Sequence, residues 1–311
     1  METKIIFMGT PEFSVPILKA LIENYNVIAV VTQPDRIRGN KTIISKIKEV
    51  ALENNIKVLQ PEKVRKEYEE IVNLNPDMIV TCAYGQIIPK ELLDAPKYGC
   101  VNVHASLLPK LRGGAPIHHA IIDGYKETGI TIMYMNEKMD EGDIITQKST
   151  IISDEDTVST LHDRLSLMGT ELIIETIPKI INNEITRIKQ NDEDATYAYT
   201  IKREDEKIDF NKTAREVFNQ IRGLNSFPGA YCIYKNKILK VYESRINESN
   251  QPGEIGEIIN LYDDGIGVKV KDGEIILTVV QLEGKNKVPA SSFINGHKNE
   301  LLNEVLKWLK K

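Results

Sequence analysis

Cysteine is scarce: Cys82, Cys100 and Cys232 are the only three in 311 residues, and none forms a CxxC pair. A disulfide scaffold and a cysteine-built metal or redox centre lose their support, and a reducing, cytoplasmic setting is expected. Long apolar runs are missing as well. No stretch reaches 18 residues, and METKIIFMG leads straight into a strand without a signal-like core, so neither a membrane span nor a leader is expected. The first strand-to-helix turn reads GTPEFS, one glycine and a proline where a dinucleotide fingerprint needs GxGxxG, which removes the main support for a nicotinamide or flavin cofactor. Charge of one sign is not in excess either. With 40 basic and 45 acidic residues the net charge is −5, which advertises no polyanionic partner. Residues 1–204 hold 24 basic and 30 acidic side chains and residues 205–311 hold 16 and 15, so the second part is the relatively basic one.

What is present is a soluble globular composition, 41% hydrophobic and 27% charged, at a length that suits two domains. Lys4–Met8 and Asn26–Thr32 read as buried strands around a helical pattern at Val15, Ile17, Leu18 and Leu21, a βαβ opening. Further strands are predicted at Lys57–Leu59, Asp77–Ala83 and Gly129–Met135. Helices are predicted at Val64–Leu74, Ala115–Ile122 and Leu161–Ile181. Polar residues without a period fill the segment around Ile188–Lys207, and we read it as a linker: residues 1–188 form a catalytic domain, 189–207 the linker and 208–311 a second domain. Beyond the linker, short strands recur with Asn, Asp and Gly turns, the pattern of a small antiparallel barrel of the oligonucleotide-binding kind. The tail Lys298–Lys311 reads as a basic amphipathic helix with Trp308 packed.

The stretch Cys100–Ile117, CVNVHASLLPKLRGGAPI, organises the rest. Val101 and Val103 alternate in a strand, which puts Asn102 and His104 together on the opposite face. A strand that buries valines on one side has no packing use for an amide and an imidazole on the other. The small-residue loop at Arg112, Gly113 and Gly114 behind them suggests an active site at the carboxyl edge of a sheet. Asp140, in MDEGD just past the end of the strand at Gly129–Met135, is placed to orient His104 as the third member of the set. The loop at Gln33–Lys46 carries Arg36, Arg38, Lys41 and Lys46; its composition suits a solvated loop and equally one that grips a ligand. Tyr84-Gly85-Gln86-Ile87-Ile88-Pro89 mixes an aromatic, a glycine and two exposed-looking isoleucines, as a pocket for a flat heterocycle would, or as core would. The adjacent His118 and His119 face different ways on a helix and do not make a chelating pair.

With Asn102-Val103-His104, then Ser106-Leu107-Leu108-Pro109, and Asp140 in MDEGD, the chain resembles the folate-dependent formyltransferases. TQPDR at Thr32–Arg36, AYGQIIP at Ala83–Pro89, SLLPKLRGGAPI at Ser106–Ile117 and ATYAYTIKREDEKIDF at Ala195–Phe210 extend the likeness over nearly the whole length, toward members that formylate methionine carried on initiator tRNA. The resemblance implies a Rossmann-like, mostly parallel α/β sheet followed by a C-terminal OB-like β-barrel that binds tRNA. It implies 10-formyltetrahydrofolate as co-substrate, no metal, and a cytoplasmic monomer. It assigns Asn102, His104 and Asp140 to catalysis and Gln86, Ile87, Ile88, Pro89, Ser106, Leu107, Leu108 and Pro109 to the folate. Arg36, Arg38, Lys41, Arg112, Gly113 and Gly114 fall to the acceptor. Two other readings compete: a formyltransferase acting on a nucleotide-sugar amine, and a non-enzymatic nucleic-acid-binding protein that uses the barrel alone.

Overall fold

In the computed structural model, residues 3–249 and 251–307 are described. They divide into two compact units. One runs to Pro116 and adds Glu127–Ile151 and His162–Tyr199; the other gathers Ile117–Lys126, Ile152–Leu161 and the chain from Thr200 onward.

The first unit is built on β1 (Lys4–Gly9), α1 (Val15–Asn24), β2 (Asn26–Val31), a short exposed ribbon β3 (Arg36–Arg38) and β4 (Lys41–Ile43), α2 (Lys46–Glu53), β5 (Lys57–Leu59), α3 (Glu69–Val72), β6 (Met78–Cys82), α4 (Lys90–Leu93) and β7 (Cys100–His104). After α5 (Pro116–Ile122), which past its first residue belongs to the second unit, come β8 (Glu127–Tyr134), β9 (Ile144–Ile151) and the long α6 (Val158–Ile181), which rejoins the first unit from His162. Seven strands join in the order β5-β2-β1-β6-β7-β8-β9; the first five are parallel, β8 runs antiparallel to β7, and β9 runs antiparallel to β8. Ile5, Ile6, Phe7 and Met8 are all buried, which is why β1 reads as a continuous apolar run: a central parallel strand is covered on both faces. Each such side chain contributes about 1.5–3 kcal/mol by burial. Gly169 lets α6 approach β7 closely, since a Cβ there would stand 3.0 Å from Val103 Cγ1. The valine face of β7 is thereby covered by α6, and the face of Asn102 and His104 is the other one.

The second unit carries α7 (Ala214–Gly223), β10 (Ala230–Tyr234), β11 (Lys237–Asn247), β12 (Ile258–Leu261), β13 (Ile266–Val270), β14 (Gly273–Leu282), β15 (Val288–Pro289) and α8 (Ala290–Leu301). α7 starts at a full capping box, Thr213 with Glu216, a device that stabilises a helix start by about 1 kcal/mol. The strands form an antiparallel sheet in the order β10-β11-β14-β13-β12, with β15 on β14. Residues 305–307 join its two edges, Lys307 bridging Ile233 of β10 and Val305 bridging Glu257 beside β12.

Three local expectations change. The helix foreseen at Val64–Leu74 shrinks to Glu69–Val72; the turn before it is fixed by Lys63 N–H donating to the Glu67 carboxylate. The tail helix sits earlier, at Ala290–Leu301, and the chain then turns extended to pair with the sheet edges; Trp308 lies outside the described residues. The polar segment read as linker is strapped down along its first half, Ile188 pairing with Ile144 and Tyr197 with Arg112. No helix among the described residues is long and apolar enough to cross a membrane.

Candidate active site

Asn102 sits mid-strand in β7, opposite Thr81 of β6. The Thr81 hydroxyl donates to Asn102 Oδ1 at 2.8 Å. With its oxygen engaged, the amide turns its NH2 outward, and among the described residues no protein group accepts from it. Thr81 was not singled out in the sequence; within the buried run MIVTC it looks like ordinary strand filler.

His104, two residues on and buried, closes β7 about 7 Å away along the same face. Its Nε2 lies 3.1 Å from the Leu111 carbonyl. A carbonyl only accepts, so this contact assigns a proton to Nε2 and leaves Nδ1 as the free lone pair. Nδ1 faces Asp140 Oδ1 at 3.7 Å, beyond hydrogen-bond range. The structure therefore brings the amide, the imidazole and the carboxylate to one rim of the sheet.

Two backbone points are held in the left-handed region to make this possible. Leu111 has φ +58, a conformation costing a non-glycine residue about 1–2 kcal/mol. Burial of its side chain, worth about 1.5–3 kcal/mol, offsets that. Its N–H donates to Thr196 Oγ1 at 2.8 Å while its carbonyl serves His104. Asp140 has φ +55 and is held at two points, with its loop pinned at a third. Gly113 N–H donates to Oδ2 at 2.9 Å, Gln190 Nε2 donates to the Asp140 carbonyl at 2.8 Å, and the same Gln190 amide ties down Gly142 at 2.8 Å.

Behind Gln190 stands Arg112, only 1% exposed. Its Nε donates to Gln190 Oε1 at 3.0 Å and a terminal NH2 to Asp192 at 2.9 Å, with Glu141 3.7 Å away. This corrects the expectation that Arg112 meets the acceptor. The guanidinium is spent inside the protein, clamping the two loops that carry Asp140 and Gln190. Gly113 has a structural reason of its own: a Cβ there would come within 2.6 Å of the Ala198 carbonyl. Gly114 is exposed.

The residues expected at the folate divide the same way. Gln86 is a staple, accepting from Val64 N–H and donating toward Pro61 and Glu62 carbonyls, so its side chain does not face a ligand. Ile88 is buried in the core, whereas Ile87 is 56% exposed. Ser106 is buried and donates to the Lys110 carbonyl at 2.6 Å; Leu108 is buried too. Leu107 and Pro109 keep partial exposure. Because Thr81 and Asn102 are register partners, the segments 83–89 and 105–109 leave neighbouring strands at the same sheet edge. Tyr84, at the start of the first, has a buried hydroxyl without a partner among the described residues. Burial, then Glu67, pushes its pKa up to about 12, so it stays a neutral donor.

Arg36, Arg38 and Lys41 lie on the fully exposed ribbon β3–β4, with Ile37 in the middle of β3 82% exposed. At its base Lys48 pairs with Asp35 at 2.6 Å and with Gln60 at 2.7 Å. A cavity of about 390 Å³ exists elsewhere, lined by Tyr98, Gly99, Cys100, Tyr134 and Arg187 at the amino end of β7, the end away from His104. Among the described residues no group of three or more His, Cys, Asp or Glu side chains is disposed to hold a metal.

Residues 3–177 match the family model described as formyl transferase, and residues 200–298 match that of the formyl transferase C-terminal domain. A methionyl-tRNA formyltransferase of Geobacillus sp. is 52% identical over 299 residues, 94% of each chain. One from Bacillus licheniformis is 51% identical over 300 residues, 94% of this chain and 95% of that one. Among solved structures, a sugar 3N-formyl transferase crystallised with dTDP and 5-N-formyl-THF shares the fold at a TM-score of 0.68 and 24% identity, over 92% of this chain and 100% of its own.

Proposed function

The chain belongs to the formyl transferase family, and on that footing we propose that it formylates the free amine of methionine carried on initiator tRNA, using 10-formyltetrahydrofolate. The folate supplies an activated formyl group on nitrogen. Its flat heterocycle is assigned to the rim formed by the segments 83–89 and 105–109, where Ile87 is exposed and Leu107 and Pro109 are partly exposed. The ribbon with Arg36, Arg38 and Lys41 and the C-terminal sheet serve the tRNA, in a cytoplasmic monomer.

The observation that carries this reading is the Asn102, His104 and Asp140 arrangement. Acyl transfer between nitrogens needs a donor for the oxygen that becomes negative, an acceptor for the amine proton, and a route for that proton to the departing nitrogen. Asn102, its oxygen already bonded to Thr81, offers its NH2 to the first task; one such donor is worth about 3–4 kcal/mol of barrier. His104 offers Nδ1 to the second. Once protonated there, it stands 3.7 Å from the Asp140 carboxylate, and general acid–base help of this kind is typically worth about 10²–10⁴-fold. The same imidazolium can return the proton.

The test is formyl transfer to methionylated initiator tRNA by the wild type and by Asp140→Asn. The asparagine keeps an oxygen for the Gly113 N–H and loses the charge, so turnover is expected to fall about 10²–10⁴-fold. Formylation of an amino-sugar nucleotide in preference to methionyl-tRNA would overturn the acceptor assignment.

A further inference from the structure

Residues 196–199 read TYAY and lie extended along the loop that follows β7. Arg112 N–H donates to the Thr196 carbonyl at 2.8 Å, Ala198 N–H to the Arg112 carbonyl at 2.7 Å, and Ala115 N–H to the Ala198 carbonyl at 3.1 Å. Side chains alternate on an extended backbone. Ala198 accordingly points inward and is buried, while Tyr197 and Tyr199 share the outer side at 46% and 65% exposure. Their rings are nearly parallel, 11° apart, with centroids 6.0 Å from each other.

The pair stands close to the reacting groups through the backbone. Gly113 packs against the Ala198 carbonyl, and the Gly113 N–H holds the Asp140 carboxylate. A strand that presents two stacked phenols to water beside a catalytic carboxylate gains nothing for the core by doing so. An acceptor whose amine sits on an aminoacyl ester at the end of a single-stranded nucleotide tail brings unpaired bases to this place. Bases without a duplex partner are held by stacking on aromatic rings, largely regardless of sequence.

We propose that Tyr197 and Tyr199 form a stacking platform for an unpaired base at the aminoacylated end of the acceptor tRNA. The inference rests on the acceptor reading above and adds to it a base-binding subsite. The platform sets where the ester, and with it the amine, comes to lie relative to Asn102 and His104. The phenol rings, rather than the hydroxyls, carry this role.

Formyl transfer to methionylated initiator tRNA is measured with the wild type, Tyr197→Leu, Tyr199→Leu, the double leucine variant and the matching phenylalanine variants. Leucine keeps apolar bulk and removes the π face; phenylalanine keeps the face. The double leucine variant is expected to raise the KM for tRNA about 5- to 150-fold. The KM for the folate and kcat at saturating tRNA are expected to stay within about twofold, and the phenylalanine variants to match the wild type. A tRNA with 2-aminopurine as its 3′-terminal base should lose fluorescence on binding the wild type and keep it with the double leucine variant. An unchanged KM for tRNA in the double leucine variant, or equal quenching by both proteins, overturns the platform while leaving the acceptor reading intact. A wild type that does not formylate methionyl-tRNA overturns both.

Discussion

Asp140 Oδ2 accepts the Gly113 N–H at 2.9 Å while its Oδ1 faces His104 Nδ1 at 3.7 Å, so one carboxylate links two loops that leave different strands. Gly113 has φ +122 and no room for a Cβ against the Ala198 carbonyl. Gly113→Ala is expected to push the loop off Asp140, and a displacement of about 1 Å at a reacting group costs about 10²-fold in kcat. Kinetics at saturating substrates, beside a thermal melt, check this; full turnover in a folded variant would mean that the Gly113 contact does not position the carboxylate.

Thr81 orients Asn102 without standing in line for the substrate. Thr81→Val should free the amide to rotate and lower kcat about 10-fold, less than the roughly 10²–10³-fold expected for Asn102→Ala. Thr81→Ser, which keeps the hydroxyl, should restore most of the rate.

Arg112 separates a clamp from an acceptor grip. Arg112→Met leaves Asp192 largely in water but strands the buried Gln190 Oε1, so stability should fall by about 1–3 kcal/mol in urea titrations. Turnover should fall with it, since Gln190 tethers the Asp140 carbonyl, and the KM for tRNA should hardly move. A raised KM at unchanged stability would restore the role that the sequence suggested.

Burial pushes the thiols of Cys82, Cys100 and Cys232 up to about 12. The native chain therefore keeps three protons that the unfolded chain releases from about pH 9, and stability must fall as pH rises from there toward 12. Each thiol adds up to about 1.4 kcal/mol per pH unit to that decline. Urea midpoints of the wild type and of a Cys82→Ala, Cys100→Ala, Cys232→Ala variant, compared between pH 8 and pH 11, should show a shallower alkaline slope for the variant. Identical slopes would refute the assignment.

The β3–β4 ribbon makes the complementary case. Arg36, Arg38 and Lys41 are exposed and form no ion pair among the described residues. Replacing all three by alanine should leave stability within about 0.5 kcal/mol. The dependence of tRNA affinity on salt should flatten, by an amount near 2 in the log–log slope. An unaltered slope would remove the ribbon from the tRNA interface.

Local pattern carried much of this architecture. Period-two alternation put Asn102 and His104 on one face, and the end of the next strand marked Asp140. The short strands after residue 229 follow directly from their turns. What local pattern misses is pairing at a distance. Arg112 meets Gln190 from 78 residues away, and a charged residue in a glycine loop looks solvent-facing until that partner is known. Gln86 and Ser106 deceive similarly, being polar side chains at a rim whose donors and acceptors are already taken by backbone. The segment 188–198 reads as linker because its order comes from main-chain bonds to other loops, and those leave no trace in hydrophobic period.

Residues 305–307 act as the clasp of the C-terminal sheet, since the same short stretch satisfies the outer rows of both β10 and the entry to β12. Clipping the chain after Leu301 would bare two strand margins at once, and each would be open to edge-to-edge pairing with a neighbouring molecule. A trimmed preparation should thus associate through its bared strand margins as its concentration rises, and a synthetic peptide spanning 302–307 should return it to single chains.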